Sequence, residues 1–557
     1  MKKVIPLLLA ALLLAGCASA PAATVETTAP VQTTAATEAA AETAPVAVAE
    51  APVYTSRFDS ETVITLSDDG LTVNGGGETD TVYTSHDIVY YEEKNAYESG
   101  NPYGVGSKTD MHTAEEAQAH TVVNITAPGA YRLSGKLSAG QIRIDLGEDA
   151  ASDPDAVVEL ILDGADITCT VAPAILFRNV YECDGGWNTE TAQPTVDTAD
   201  AGANLILAEN SRSTVSGSYV AKIYKDAKGE KKLWKQDGAV YSYMSMNVYG
   251  PGALDITAEN EGLDTELHLT INGGDIRITS GDDGINTNED GVSVTTVNGG
   301  TLTVNVTGAM TGEGDGIDSN GWLVINGGTA IAAASAASGL DSDMGIYLNG
   351  GTVIASGSML DEIAQDSAQT YAAFSFAQTQ PGGETYTLKD ESGETVLSGA
   401  PVNAFSQLLL SSPDLTEGTY TFWQGETQLS GAEGGGMGMG GQPGGMPDGQ
   451  EPPDGEAPQS PADGGTPPER PEDGNAPADG QQPPAGSDSD GQEPPAKPED
   501  GEMPSPPDGA DGQQPPEPPE GVFPGGASSA EASTDFPITV GANRFSQVGP
   551  AEMDAQA

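Results

Sequence analysis

Four copies of one short element carry a repeated set of oxygen ligands: Gly262-Leu263-Asp264-Thr265-Glu266, Gly284-Ile285-Asn286-Thr287-Asn288, Gly316-Ile317-Asp318-Ser319-Asn320 and Gly339-Leu340-Asp341-Ser342-Asp343. In each copy the Leu or Ile is the inward residue. Strand alternation then sends the next residue outward, the small Thr or Ser inward, and the one after outward again. Stacking the copies gives two polar columns. One is Asp264, Asn286, Asp318 and Asp341; the other is Glu266, Asn288, Asn320 and Asp343, with Asp282, Asp283 and Asp315 at the edge. Stacked strands lie about 4.8 Å apart and same-face neighbours about 6.8 Å apart, so these carboxylates repel one another unless a cation sits between them. Calcium suits such a grid because it accepts roughly six to eight oxygens with loose geometry. The expected ligands are Asp282, Asp283, Asn286, Asp315, Asp318, Asp341 and Asp343, holding Ca2+ in a structural or ligand-bridging role. The competing reading is a row of solvated turn residues, for which Asn and Asp are favoured.

A second group breaks the acidic pattern. Between Tyr219 and Tyr243 the chain carries Lys222, Lys225, Lys228, Lys231, Lys232 and Lys235 with Tyr224 and Trp234, and its alternation predicts a hairpin around Asp226-Ala227-Lys228-Gly229. Tyr224, Trp234, Lys232 and Lys235 are the candidate carbohydrate contacts, because aromatic rings stack on sugars and lysines pair with uronate carboxylates. A solubilising insertion whose rings pack on the body beneath is the alternative.

The elements that position these groups are short strands and glycine turns. Asn-Gly-Gly recurs at Asn272, Asn298, Asn326 and Asn349, each followed by a short alternating strand. A helix-free unit of about 23 residues is one coil of a solenoid whose neighbours bury its apolar face. The fold expected is therefore all-β, a right-handed parallel β-helix, in preference to a sandwich of antiparallel hairpins. Asn-Gly-Gly is assigned turn chemistry and no ligand role.

Composition bounds the rest. The 557 residues carry 83 Asp+Glu against 21 Lys+Arg, a formal net charge of -62, which excludes nucleic acid as a partner. Met1-Lys2-Lys3, the apolar run Val4 to Leu14 and Leu14-Ala15-Gly16-Cys17 resemble a bacterial lipoprotein signal, with Cys17 as the lipidated residue. Residues 1–17 are read as that signal with its lipobox and 18–55 as an Ala/Thr/Pro-rich disordered linker. Residues 56–250 form a β-rich N-terminal cap with early coils, and 251–430 the regular coils. Residues 431–530 are read as a disordered tail, since 23 of the 39 prolines lie between Pro443 and Pro524 and 20 acids face only Arg470 and Lys497. Residues 531–557 are a short end whose Phe536 to Val540 is expected to dock back as one strand. The protein is expected outside the cytoplasm, a monomer held to the membrane or cell surface by lipid alone, with Cys169 and Cys183 either joined or as two thiols.

The sequence also resembles a family of exported clostridial-type carbohydrate-binding-domain proteins, whose parallel β-helix is similar to that of family nine polysaccharide lyases. The residues that carry the resemblance are Pro128-Gly129-Ala130-Tyr131-Arg132-Leu133-Ser134-Gly135 with Gly140-Gln141-Ile142, the strand Leu160 to Ile167, and the Gly-Asp-Asp-Gly-Ile and Asn-Gly-Gly coils, over roughly residues 60 to 425. The resemblance implies a calcium-containing β-helix that binds plant-type or acidic polysaccharide, polygalacturonate or cellulose among them, without established catalysis. A pectate-type lyase needs a Lys or Arg base near the metal. Pro251 to Leu360 holds no Lys and only Arg277, so no catalytic residue is assigned and the expectation is a surface-anchored, calcium-dependent, non-catalytic carbohydrate-binding protein. A calcium-dependent lyase and a structural adhesin are the alternatives.

Overall fold

The computed structural model describes residues 54–91, 108–184, 188–224, 232–310, 312, 314–434 and 532–551. The assignments of residues 1–17 and Cys17 lie outside the described residues, as do the 18–55 linker apart from 54–55, the 431–530 tail apart from 431–434, and the side chains of Tyr224, Lys232, Trp234 and Lys235. The described part is all-β, apart from the capped helix Ala114–Gln118 and two single 3-10 turns.

Three parallel ladders organise the chain. The first runs through Glu61–Ser67, Gly129–Leu137, Val158–Thr168, Arg212–Gly217, Ala253–Ala258, Asp275–Ser280, Thr301–Val306, Thr329–Ala333 and Thr352–Gly357. Starting from the first half of Val158–Thr168, the second continues through Ala203–Leu207, Met246–Tyr249, Leu269–Ile271, Val294–Val297, Trp322–Ile325 and Gly345–Leu348. One strand can serve both ladders because Gly164, at φ +76°, breaks the register in its middle. The third ladder joins Thr121–Ile125, Gly140–Asp145, Ile175–Asn179, Gly238–Ser242, Glu261–Thr265 and Ile285–Thr287, and single bridges extend it from Ile285 to Ile317 and Leu340.

Inward residues form aliphatic columns in register: Leu254, Ile276, Leu302, Ala330 and Val353 in the first ladder, and Leu205, Val248, Ile271, Val297, Ile325 and Leu348 in the second. All are buried in one continuous core. Asn-Gly-Gly turns sit between the first two ladders, and their second glycines, Gly274, Gly300, Gly328 and Gly351, adopt the positive φ expected of turn residues. Their asparagines do more than turn the chain. Asn298 Nδ2 donates to Asn272 Oδ1 at 2.9 Å, Asn326 to Asn298 at 3.0 Å and Asn349 to Asn326 at 3.0 Å, an amide ladder along the stack.

The expected block of regular coils, 251–430, needs correction at its end. The first ladder stops at Thr352–Gly357, which pairs antiparallel with Phe405–Ser411, and beyond it Tyr371–Gln380 keeps one parallel partner, Ala542–Pro550. Tyr371–Gln380, Tyr386–Lys389, Thr395–Gly399, Gly418–Gln424 and Thr427–Glu433 then build antiparallel pairs, joined by Asp535–Ile538 and Ala542–Pro550. The C-terminal end thus supplies two strands, one more than the sequence predicts, and strand structure runs past residue 430. Six of the nine phenylalanines, Phe374, Phe376, Phe405, Phe422, Phe536 and Phe545, fill this second core. Phe374 stacks on Phe422 at 4.1 Å and on Phe545 at 5.3 Å. Aromatic packing of this kind replaces the strand-on-strand burial that the aliphatic columns lose where the parallel ladders end.

The predicted lysine hairpin exists as the antiparallel pair Val220–Tyr224 and Lys232–Gln236. Cys169 and Cys183 are free thiols, and burial pushes both up to about 12.

Candidate functional site

The third ladder carries the acidic edge. Leu263, Ile285, Ile317 and Leu340 stack inward, which places Asp264 opposite Asn286 in register, with Asp318 and Asp341 on the coils that follow. Glycine is needed one residue earlier in every coil. A Cβ on Gly262 would lie 2.4 Å from the Gly284 carbonyl oxygen, one on Gly284 2.5 Å from that of Gly316, and one on Gly316 2.4 Å from that of Gly339. The residue before each glycine forms a further column that the sequence reading did not single out as such: Asp237, Glu261, Asp283 and Asp315.

Oxygens of Asp237, Glu261 and Asp264 lie within 4.8 Å of one another, and Glu261 and Asp264 are buried. Two oxygens bound about 2.4 Å from a calcium ion on opposite sides are about 4.8 Å apart, so this spacing fits one ion. Asn286 donates Nδ2 to Glu261 at 3.3 Å, while its own Oδ1 is buried without a hydrogen-bond donor. A buried carbonyl oxygen with no N–H or O–H to accept from is one that a cation could use.

Along the same edge the backbone of each coil supports the carboxylate of the one before it. Asp315 N–H donates to Asp283 Oδ1 at 2.7 Å, and Ser338 N–H to Asp315 Oδ1 at 2.6 Å. These bonds do not offset burial and repulsion. Burial, then the charges of Glu261 and Asp318, push Asp283 up to about 10. Burial and Asp341 push Asp315 up to about 7 and hold Asp318 well above the carboxylate range. Asp341 rises to about 6 through burial and Asp361, and Asp361 itself is raised mainly by burial. Without a counterion the row can stay buried only by keeping protons.

Of the seven expected ligands, the fold brings Asp283, Asn286, Asp315, Asp318 and Asp341 into this row, with the half-buried Asp282 adding its charge to Asp283 and Asp315. Asp343 is exposed at the rim, its carboxyl raised by slight burial and by Asp290. The second predicted column spends itself on local bonds. Glu266 accepts from the Tyr241 hydroxyl, Asn288 donates to Asp264 and to the Thr265 carbonyl, and Asn320 donates to the Asn288 carbonyl and to Asp290. Asp237, Glu261 and Asp361 were missed. An acid before the coil glycine recurs at Asp237-Gly238, Glu261-Gly262, Asp283-Gly284 and Asp315-Gly316, and that was the available signal.

On the outer face of the early coils lies a groove of about 720 Å3 whose walls include Tyr54, Arg132, Glu159, Asp163 and Asn272. Tyr54 packs against Tyr249 at 4.7 Å, and Arg132 bridges Glu61 at 2.6 Å and Asp163 at 3.2 Å. Arg277 is also held by carboxylates, Asp275 at 2.8 Å and Asp255 at 3.6 Å, on an exposed face of the first ladder.

Residues 119–380 match the family model of carbohydrate-binding domain-containing proteins. A carbohydrate-binding domain-containing protein from Acetivibrio thermocellus is 27% identical over 157 residues, 28% of this chain and 44% of that protein, so the chain spans less than half of its relative. Among solved structures, a polysaccharide lyase-like protein from C. thermocellum, studied as a gadolinium derivative, matches with a TM-score of 0.31 and 18% identity over 55% of this chain and 98% of that one. The coil region that bears the acidic edge is therefore the part of the chain similar to carbohydrate-binding-domain proteins.

Proposed function

We propose that this protein is a surface-tethered, calcium-dependent carbohydrate-binding module without catalytic function, whose three ladders close as a right-handed parallel β-helix. Its tether is the lipidated Cys17, which places it outside the cytoplasm as a membrane-held monomer. The observation that carries the reading is the double row of buried and half-buried oxygen ligands, seven acids and one amide: Asp237, Glu261, Asp283 and Asp315 beside Asp264, Asn286, Asp318 and Asp341. Buried carboxylates in such a row are stabilised by a divalent cation that replaces their protons. Asp237, Glu261, Asp264 and the Asn286 carbonyl oxygen would hold one calcium ion, and Asp283, Asp315, Asp318 and Asp341 would hold others. The metal would stiffen the coils and present a positive centre to sugar carboxylates and hydroxyls. The match of residues 119–380 supports carbohydrate as the ligand class, and acidic polysaccharide follows from the metal.

A lyase would require a base at this edge. Arg277 is engaged by two carboxylates, so that alternative rests on a lysine of residues 222–235. The test is retention of the full chain on insoluble polygalacturonate and on cellulose, in calcium and in a chelator. Retention that the chelator abolishes supports the reading. Unsaturated products would move the assignment to a lyase, and no retention on either polymer to an adhesin.

A further inference from the structure

Six of the seven arginines among the described residues are committed to carboxylates. Arg57 pairs with Asp200, Arg132 with Glu61 and Asp163, Arg143 with Asp87, and Arg178 with Asp145, while Arg212 and Arg277 share Asp255 and Asp275. The seventh, Arg544, makes no ion pair or side-chain hydrogen bond with any described residue, and its Nε is buried with no acceptor. In a chain with 83 acids and 21 bases, a guanidinium left unpaired runs against the electrostatic odds. A buried N–H without an acceptor is also costly, and that cost is recovered when a ligand supplies one.

Its placement is defined by the sheet. Arg544 lies on Ala542–Pro550, opposite Ala373 in parallel register, and its neighbour Phe545 points the other way into the aromatic core. The guanidinium therefore faces a groove of about 540 Å3 between the loop after the last coil, Glu362 to Gln369, and the C-terminal strands. The buried amides in the walls are already spent, and the exposed Gln365 is the other amide there. Asn543 donates to the carbonyls of Tyr371, Thr539 and Gly541, and Gln369 to the Gly351 carbonyl and Ser411 Oγ. Arg544 is thus the one positive charge among the residues that line the groove, and Glu362 and Glu433, which also line it, can accept from hydroxyl groups.

We infer that this groove is a subsite for a hexuronate residue, its carboxylate on the Arg544 guanidinium and its hydroxyls toward Glu362 and Glu433. An arginine fork matches a carboxylate in two parallel hydrogen bonds, whereas two flanking acids disfavour a more highly charged phosphate monoester. This inference rests on the carbohydrate-binding reading but not on calcium, since the anion's partner is the Arg544 guanidinium and not a metal ion.

The test uses the full chain in saturating calcium, with trigalacturonate as the probe, cellotriose as the neutral control and an N-acetylated peptide with a free carboxyl terminus as the competing class. Arg544→Gln is expected to weaken trigalacturonate roughly ten- to a hundredfold and to leave cellotriose and calcium binding unchanged. Arg544→Lys, which keeps the charge but loses the fork, is expected to fall between the two and guards against a folding defect in the first variant. Equal trigalacturonate affinity in the wild type and both variants, with polysaccharide retention intact, would overturn the subsite and leave the proposed function standing. Preference for the peptide would reassign the groove and overturn the hexuronate. Absence of any saccharide binding by the wild type would overturn both.

Discussion

In the absence of calcium, raising the pH should destabilise this fold, and Asp315 is the residue that shows it. Burial, followed by the charge of Asp341, raises its carboxyl from 3.8 to about 7. The folded chain then holds a proton that the unfolded chain releases, so this contribution is complete below about pH 4 and is lost as the pH climbs to about 7. The difference amounts to about 4 kcal/mol. About 3 of these 4 kcal/mol fall between about pH 4.5 and 7.5, so at roughly 2 °C per kcal/mol for a large fold Asp315 alone should lower the melting temperature by about 6 °C across that window in a chelator. Carboxylates with the opposite shift, such as Glu61 beside Arg132, lose their contribution only as pH drops below their ordinary range, so the window is free of them. Asp315→Asn keeps the oxygen that accepts from Ser338 N–H and removes the titration. Its melting temperature should vary less with pH and exceed that of the wild type at about pH 7.5 in chelator. Circular dichroism melts of both proteins supply the assay. A metal-free wild type whose melting temperature is flat or rises across this window, in parallel with the variant, would refute the reasoning.

Two further substitutions probe the architecture that aligns the acids. Gly284→Ala would drive a Cβ to 2.0 Å from Val304 Cγ1 and 2.5 Å from the Gly316 carbonyl oxygen, so a loss of about 3 kcal/mol or more is expected by chemical denaturation, whereas Gly77→Ala, which meets nothing within 4 Å, should be close to neutral. Asn298→Ala removes the middle of the amide ladder and takes away the partners of Asn272 Oδ1 and Asn326 Nδ2; about 2 kcal/mol is expected, and a loss below about 0.5 kcal/mol would mean that water replaces the amide freely.

The sequence repeat was legible because it is dictated by contact between neighbouring strands of the parallel ladders. A glycine that touches the next repeat's carbonyl tolerates no side chain, so Gly262, Gly284 and Gly316 repeat, Gly339 is held by the Ser356 backbone N instead, and the inward Leu or Ile beside each repeats for burial. Asp318 and Asp341 could be assigned from that register alone. Glu261 and Asp237 could not be separated from ordinary turn acids until stacking placed them against Asp264. Asp361 belongs to the loop after the last parallel strand, where no repeat marks its position. The asparagines of Asn-Gly-Gly were read as turn formers, since bonds to partners 23 to 28 residues away follow from the stack and leave no local pattern. The aromatic C-terminal core was hidden for a related reason. Phe374 and Phe422 meet Phe536 and Phe545 across more than a hundred intervening residues, and strands of similar style on both sides of Gly357 conceal the change from parallel to antiparallel pairing.

Calorimetric titration of the full chain with calcium, in the presence and absence of polygalacturonate, is the most direct test of the central claim. Calcium binding accompanied by proton release, and tightened by the polysaccharide, is the expected result, because the ion replaces protons on Asp283, Asp315 and Asp341 and then shares its open positions with the sugar. A chain that binds neither calcium nor polygalacturonate would contradict it, and would make the acidic rows protonated structural stacks with no part in recognition.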